Sequence, residues 1–275
     1  MRILDAHVHL WDVEQVALGW FRPELGLPER VAADDFARAS VRAGVGGAVA
    51  VQAADTSDEV RWLAGQISSG PLSWGLVVQF EPRPADPLRW GGALYDPRLV
   101  HRIAGVRAAV PARAADLSDI PGLEALAAGL AASRRVLEML VRPEQLDAVA
   151  RLARRHPSLS IVVCHLGVGA GAADAAWRGA LERLACENGV AAKVSGLHPE
   201  RRTAGELAAM LAHAFDVFGA ERLLFGSDWP LSTRETAYDA VVQATADALP
   251  ALTTAQRVRF WRANAADRYG VESSG

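Results

Sequence analysis

Eight short apolar segments recur along this chain, and stretches with helical spacing lie between them. The segments are 3–10, 47–53, 74–80, 104–110, 136–141, 160–166, 190–195 and 222–227. Several are nearly unbroken apolar runs, such as Ile161-Val162-Val163-Cys164. Runs of that kind suit strands covered on both faces, as in a parallel sheet. Segments 34–43, 57–67, 144–155, 203–218, 234–248 and 255–269 read as helices. Along 203–218, Leu207, Met210, Leu211, Ala214 and Phe215 fall on one stripe. Strand–helix alternation repeated eight times predicts an α/β fold, a (β/α)8 TIM barrel. An open doubly wound sheet is the rival, and the lack of GxGxxG after the first strand counts against it. No linker, repeat or low-complexity block interrupts residues 1–275, which read as one barrel domain.

Hydrophobic residues make up 51% of the 275, enough for a substantial core. A formal net charge of -3 gives no electrostatic ground for nucleic acid or an anionic membrane as partner. The start shows no basic segment followed by an apolar run, so no secretory signal is expected. The longest charge-free stretch, 158–173, is short for a bilayer and carries a histidine. Cys164 and Cys186 form no CxxC and read as reduced core residues of a cytoplasmic protein. The expected partner is a small-molecule substrate; the oligomeric state is left open.

In β/α barrels the chemistry lies at the carboxyl ends of the strands. Capable residues gather there: His7 and His9, Gln52 and Asp55, Gln79 and Glu81, Arg107, Glu138 and Arg142, His165, Lys193 and Ser195 with His198 beyond, and Asp228. Random placement would scatter them equally over helices and strand beginnings. His7 and His9, two apart in a strand, point the same way. Two imidazoles so spaced can share one cation or one substrate oxygen. Asp228 adds a carboxylate once barrel closure sets the first strand beside the last. His7, His9 and Asp228 are ligands of the kind a catalytic Zn²⁺ takes, with water in the fourth place. The same set admits Mn²⁺ or Fe²⁺, and catalysis without metal stays open.

Arg107 and Lys193 are costly to bury unless paired, with Glu138 and Asp5 as candidate partners. Asp5 either orients a histidine or makes a structural bond. Arg22, Arg107 and Arg142 are candidates to bind a carboxylate or hydroxyls. Trp20 is a candidate to stack on a ring face, and Gln52 and Lys193 are further substrate-binding candidates. The long first loop, 11–31, is expected over the mouth. Trp229 is expected to pack, and His101, His156 and His213 to face solvent.

Together these motifs resemble the amidohydrolase superfamily: His7-x-His9, Cys164-His165-Leu166-Gly167, and Gly226-Ser227-Asp228-Trp229-Pro230. More narrowly they resemble its lactonase branch, the sugar lactonases and 2-pyrone-4,6-dicarboxylate lactonase. Gly19-Trp20-Phe21-Arg22-Pro23, Val51-Gln52-Ala53-Ala54, Gly105-Val106-Arg107 and Ala192-Lys193-Val194-Ser195-Gly196 extend the likeness over the chain. The resemblance implies a (β/α)8 barrel that hydrolyses a cyclic ester. His7, His9 and His165 would surround the carbonyl directly or through one divalent metal. Asp228 would handle the water as general base and then acid. The two-metal members' strand-four lysine is missing from 104–110, so a binuclear centre is not expected. Segment 136–141 lacks the histidine of the single-metal deaminases and decarboxylases. Ala108, Arg142 and Val168 stand where lactonases often carry His, Tyr and Lys, which leaves the particular substrate open. The alternatives are a metal-dependent decarboxylase or amide hydrolase on the same barrel, and a non-catalytic small-molecule binding protein.

Overall fold

The structure, a computed structural model, describes residues 2–54, 56–80, 100–169, 171–197 and 202–271. Asp55, Glu81 and His198 lie outside the described residues. Eight strands form one sheet: β1 (Ile3–Val8), β2 (Val45–Val51), β3 (Ser73–Gln79), β4 (Ile103–Ala109), β5 (Val136–Leu140), β6 (Ser160–Val163), β7 (Val190–Val194) and β8 (Leu223–Phe225). They are neighbours in chain order, and each pair is parallel. The ring meets itself just past β1 and β8. There Val8 and Trp229 form a parallel bridge, His9 N–H donates to the Trp229 carbonyl at 2.8 Å, and Asp228 N–H donates to that of His7 at 2.9 Å. The fold is a (β/α)8 barrel.

Helices cover the outside. They are α1 (Ala33–Ser40), α2 (Ser57–Gln66), α3 (Leu123–Ser133), α4 (Leu146–Arg155), α5 (Ala175–Ala185), α6 (Ala204–Phe218) and α7 (Tyr238–Ala248). Two further helices, α8 (Thr254–Val258) and α9 (Asn264–Tyr269), flank a π-helical turn, Arg259–Ala263. Local chemistry starts these helices where the sequence suggests. Thr56 caps α2 by accepting from Glu59 N–H at 3.2 Å. Thr203 and Glu206 form a reciprocal capping box on α6. On α4 the buried face carries Leu146, Val149, Leu152 and Ala153, while Arg151, Arg154 and Arg155 stay exposed. Each large side chain buried this way contributes roughly 1.5–3 kcal/mol before chain entropy is counted.

Strand alternation sorts side chains into two cores. Leu76, Val78, Val106, Leu137, Ile161, Val163 and Phe225 pack outward against the helices. Val49, Val77, Val136, Val162, Ala191 and Leu224 fill the barrel interior, where Ala265, Tyr269 and Val271 close its floor. Cys164 is buried as expected, but Cys186 is exposed on the surface. His156 and His213 are partly buried rather than solvent-facing: His156 sits 2.8 Å from Glu124, and His213 3.3 Å from the Arg178 carbonyl oxygen. Among the described residues, no helix is long and apolar enough to cross a membrane.

Candidate active site

At the carboxyl end of β1, His7 within the strand and His9 just past it bring their Nε2 atoms to 3.2 Å. Asp228 Oδ1 lies 3.5 Å from the first and 3.7 Å from the second. The His165 ring stands 4.8 Å from that of His7, centre to centre, and its Nδ1 is 2.9 Å from Ser195 Oγ. All four side chains are buried. His165 and Asp228 are not in strands. Each sits in a turn just beyond one, in the left-handed region at φ 56° and 62°. That conformation is uncommon for residues with a side chain and clusters at functional sites. Two glycines make room for the cluster. A Cβ on Gly196 (φ +58°) would fall 2.7 Å from His165 Cε1, and one on Gly226 would fall 2.8 Å from His7 Cβ.

Asp5 makes a structural bond. Its carboxylate accepts from His7 N–H at 3.0 Å, Ser227 N–H at 2.8 Å and the Tyr238 hydroxyl at 2.8 Å. It pins β1 to the turn after β8 and so fixes where the histidines stand relative to Asp228.

The cluster opens into a cavity of about 360 Å³ lined by His9, Arg107, His165 and Asp228 and walled by Trp11, Trp20, Leu140 and Leu231. Trp20 reaches it because the first loop folds over the mouth. Trp11–Asp12 pairs antiparallel with Arg30–Val31, Trp20 Nε1–H donates to the Ala53 carbonyl at 2.9 Å, and the Trp11 and Trp20 rings meet edge to face. Glu59 holds that Ala53 segment by accepting from the N–H groups of Ala53 and Ala54. Trp11 was not singled out from sequence, although it lies two residues past His9. Trp229 packs against Phe36, centres 5.4 Å apart.

Arg107 is held inside the barrel by Gln79 Oε1 at 3.1 Å and the Gln52 carbonyl at 2.7 Å, not by Glu138 or Asp5. Those bonds use two of its five donors and leave the rest for a ligand. Gln52 also accepts from Gln79 N–H, so it supports Arg107 from behind. Lys193 lies beneath the cavity, fully buried, bonded to Glu138 Oε1 at 2.5 Å and 3.1 Å from His7 Nδ1. Arg22 and Arg142 are exposed and do not line the cavity. Arg22 donates to carbonyls of its own loop, and Arg142 to that of Arg113. Of the six expected substrate contacts, the fold brings Arg107 and Trp20 to the cavity.

Burial holds the His7 and His9 imidazoles well below their ordinary value, helped by the Lys193 charge at His7 and by Arg107 at His9. Burial pushes the Asp228 carboxyl up to about 8, with Arg107 pulling the other way. Asp228 Oδ1 is buried without a hydrogen-bond donor. The ligand atoms of His7, His9 and Asp228 lie within 4.8 Å of one another. An orphaned carboxylate oxygen beside two imidazoles fits one divalent cation.

A family model described as amidohydrolase matches residues 4–271. This chain belongs to the amidohydrolase family. Membership makes it an enzyme. The amidohydrolase is 31% identical to an L-fucono-1,5-lactonase of Burkholderia multivorans, with 98% of this chain and 96% of the relative covered. A Burkholderia ambifaria L-fucono-1,5-lactonase is 29% identical over 83% of this chain and 80% of its own length. Among solved structures, an amidohydrolase from Burkholderia multivorans with bound Zn matches with a TM-score of 0.82 at 27% identity, covering 99% of this chain and 100% of the other. A putative 2-pyrone-4,6-dicarboxylic acid hydrolase from Pseudomonas putida shares the fold, with a TM-score of 0.75 at 19% identity over 98% and 97% of the two chains.

Proposed function

We propose that this amidohydrolase opens a small cyclic ester, a sugar lactone or a related carboxylated lactone, by attack of water on the ring carbonyl. The observation that carries the reading is the convergence of His9, His165 and Asp228 on one cavity, with His7 buried directly behind them and one Asp228 oxygen left without a donor. The lactonase relatives support it. A volume near 360 Å³ suits a monocyclic ligand. Trp11 and Trp20 offer apolar faces to a sugar ring, and Arg107 offers donors to a hydroxyl or carboxylate.

Asp228 takes a proton from water as the oxygen bonds to the carbonyl carbon. His7 and His165 hold the developing oxyanion. The ring C–O bond then breaks, and Asp228 returns its proton to the departing oxygen. An activated ester needs no covalent intermediate. A divalent cation held by His7, His9 and Asp228 would polarise the carbonyl and favour the ionised carboxylate. The base must be ionised before attack, and Arg107 and Lys193 supply the positive charge that favours this.

The test is proton release on a panel of sugar lactones and pyrone carboxylates, with Asp228→Asn as the blank. Turnover should fall at least a hundredfold in the variant, the scale of a lost general base. No turnover by folded wild-type protein supplied with Zn²⁺ or Mn²⁺ would sink the lactonase reading.

A further inference from the structure

Beneath the mouth, buried polar groups form a column that the hydrolytic reading leaves unused. Tyr269 donates its hydroxyl to Glu138 Oε1 at 2.6 Å. Cys164 Sγ lies 3.5 Å from Glu138 Oε2. Lys193 donates to Glu138 at 2.5 Å and stands 3.1 Å from His7 Nδ1. His7 Nε2 is 3.2 Å from His9 Nε2, and His9 Nδ1 is 2.7 Å from the Val51 carbonyl oxygen.

Only one placement of hydrogens satisfies this column. A carbonyl oxygen can only accept, so His9 Nδ1 carries the hydrogen. The two Nε2 atoms, 3.2 Å apart, share a single hydrogen, and with the His9 ring already donating from Nδ1 that hydrogen belongs to His7. From the other end, an ammonium has no lone pair to offer, so His7 Nδ1 must be bare as well. Two independent contacts thus require the same form of His7. The opposite form would set two donors face to face at Lys193 and two lone pairs face to face at His9.

We infer that Lys193 is a positioning residue that holds His7 in the form carrying its hydrogen on Nε2. His7 then donates at the floor of the mouth, while His9 keeps a bare nitrogen there. The histidine pair is chemically unequal although its spacing is symmetric. Under the water-attack reading, on which this assignment of labour rests, His7 serves the oxyanion and the acceptors beside it serve the water. The ammonium also lies against His7 and Glu138, two of the three members of a second ligand-type cluster completed by Cys164. A fixed positive charge there takes the place of a second cation. A cation at His7, His9 and Asp228 must displace the His7 hydrogen while Lys193 still faces the ring. Metal binding at that set is therefore weakened by Lys193.

The deciding measurement needs no variant beyond those used for assignment. In metal-free, full-length protein with ¹⁵N-labelled histidines, His7 should show a protonated Nε2 and a bare Nδ1, and His9 the reverse. Single His→Gln substitutions assign the signals. A His7 ring protonated on Nδ1 overturns the inference. The paired substitution Lys193→Met with Glu138→Gln removes both buried charges together, so neither is stranded. It should abolish the Nε2 preference of His7, tighten binding of added Zn²⁺ at least tenfold, and lower kcat at least tenfold with KM within twofold. An unchanged His7 spectrum, or Zn²⁺ binding that stays equal or weakens, also overturns it. If the pair fails to fold, the wild-type spectrum still decides. Spectrum and Zn²⁺ titration use no lactone, so failure of the lactonase reading would leave them standing.

Discussion

At Asp228 three unfavourable conditions coincide: a φ of 62°, near-complete burial, and a carboxyl oxygen without a donor. Each opposes folding and each suits a base that must meet water in a dry pocket. Two predictions follow from a carboxyl raised from 3.8 to about 8. For activity, the working form is ionised. In metal-free protein kcat/KM should climb with pH, with a midpoint near 8, and level off above it; a profile flat from pH 6 to 9 would remove Asp228 from the base role. For stability, the folded state holds this proton more tightly than the unfolded chain. Stability is therefore lost as pH rises from about 4 to 8, by about 1.4 kcal/mol for each unit of difference before relaxation. Asp228→Asn escapes that loss. It should melt above wild type at pH 8 and converge with it near pH 4, at roughly 2–4 °C per kcal/mol. Parallel melting curves of equal spacing at both pH values would contradict the raised carboxyl.

Elements decide which polar residues reach the cavity, and here the sequence is legible in part. Eight apolar runs announced eight strands because parallel strands are buried on both faces. His7, His9, His165 and Asp228 stood out because they punctuate the ends of such runs. Arg22 and Arg142 misled because a residue's place in the loop layer does not state its direction; both turn to nearby carbonyls. Lys193 does pair with Glu138, one of its two candidate partners, but the Gln79 and Gln52 contacts of Arg107 were invisible because pairing across strands depends on register. Gly196 shows the same limit in reverse. Its role is to leave space, which the letter G does not reveal. Gly196→Ala puts a methyl against the His165 ring in a left-handed turn. The fold should survive, as judged by circular dichroism, while kcat falls at least tenfold. Wild-type turnover in that variant would show that His165 has freedom to move.

The whole molecule closes its floor with the segment that follows β8. Tyr269 and Val271 enter the barrel interior, and Tyr269 bonds to Glu138 beneath Lys193. Tyr269→Phe removes one bond to a buried charged group, a loss of roughly 1.5–3 kcal/mol. The melting temperature should fall by several degrees; an unchanged value would mean that the remaining partners of Glu138 absorb the loss. The seam of the barrel has a different reach. Asp5 and Ser227 are bonded across it although 222 positions apart in sequence, and the histidine pair and Asp228 flank it. A ribosome delivers the two imidazoles almost at once but the carboxyl only after the eight strands have been made. The half-made chain is thus chemically silent, and the first catalytic turnover of each molecule reports that its ring has closed.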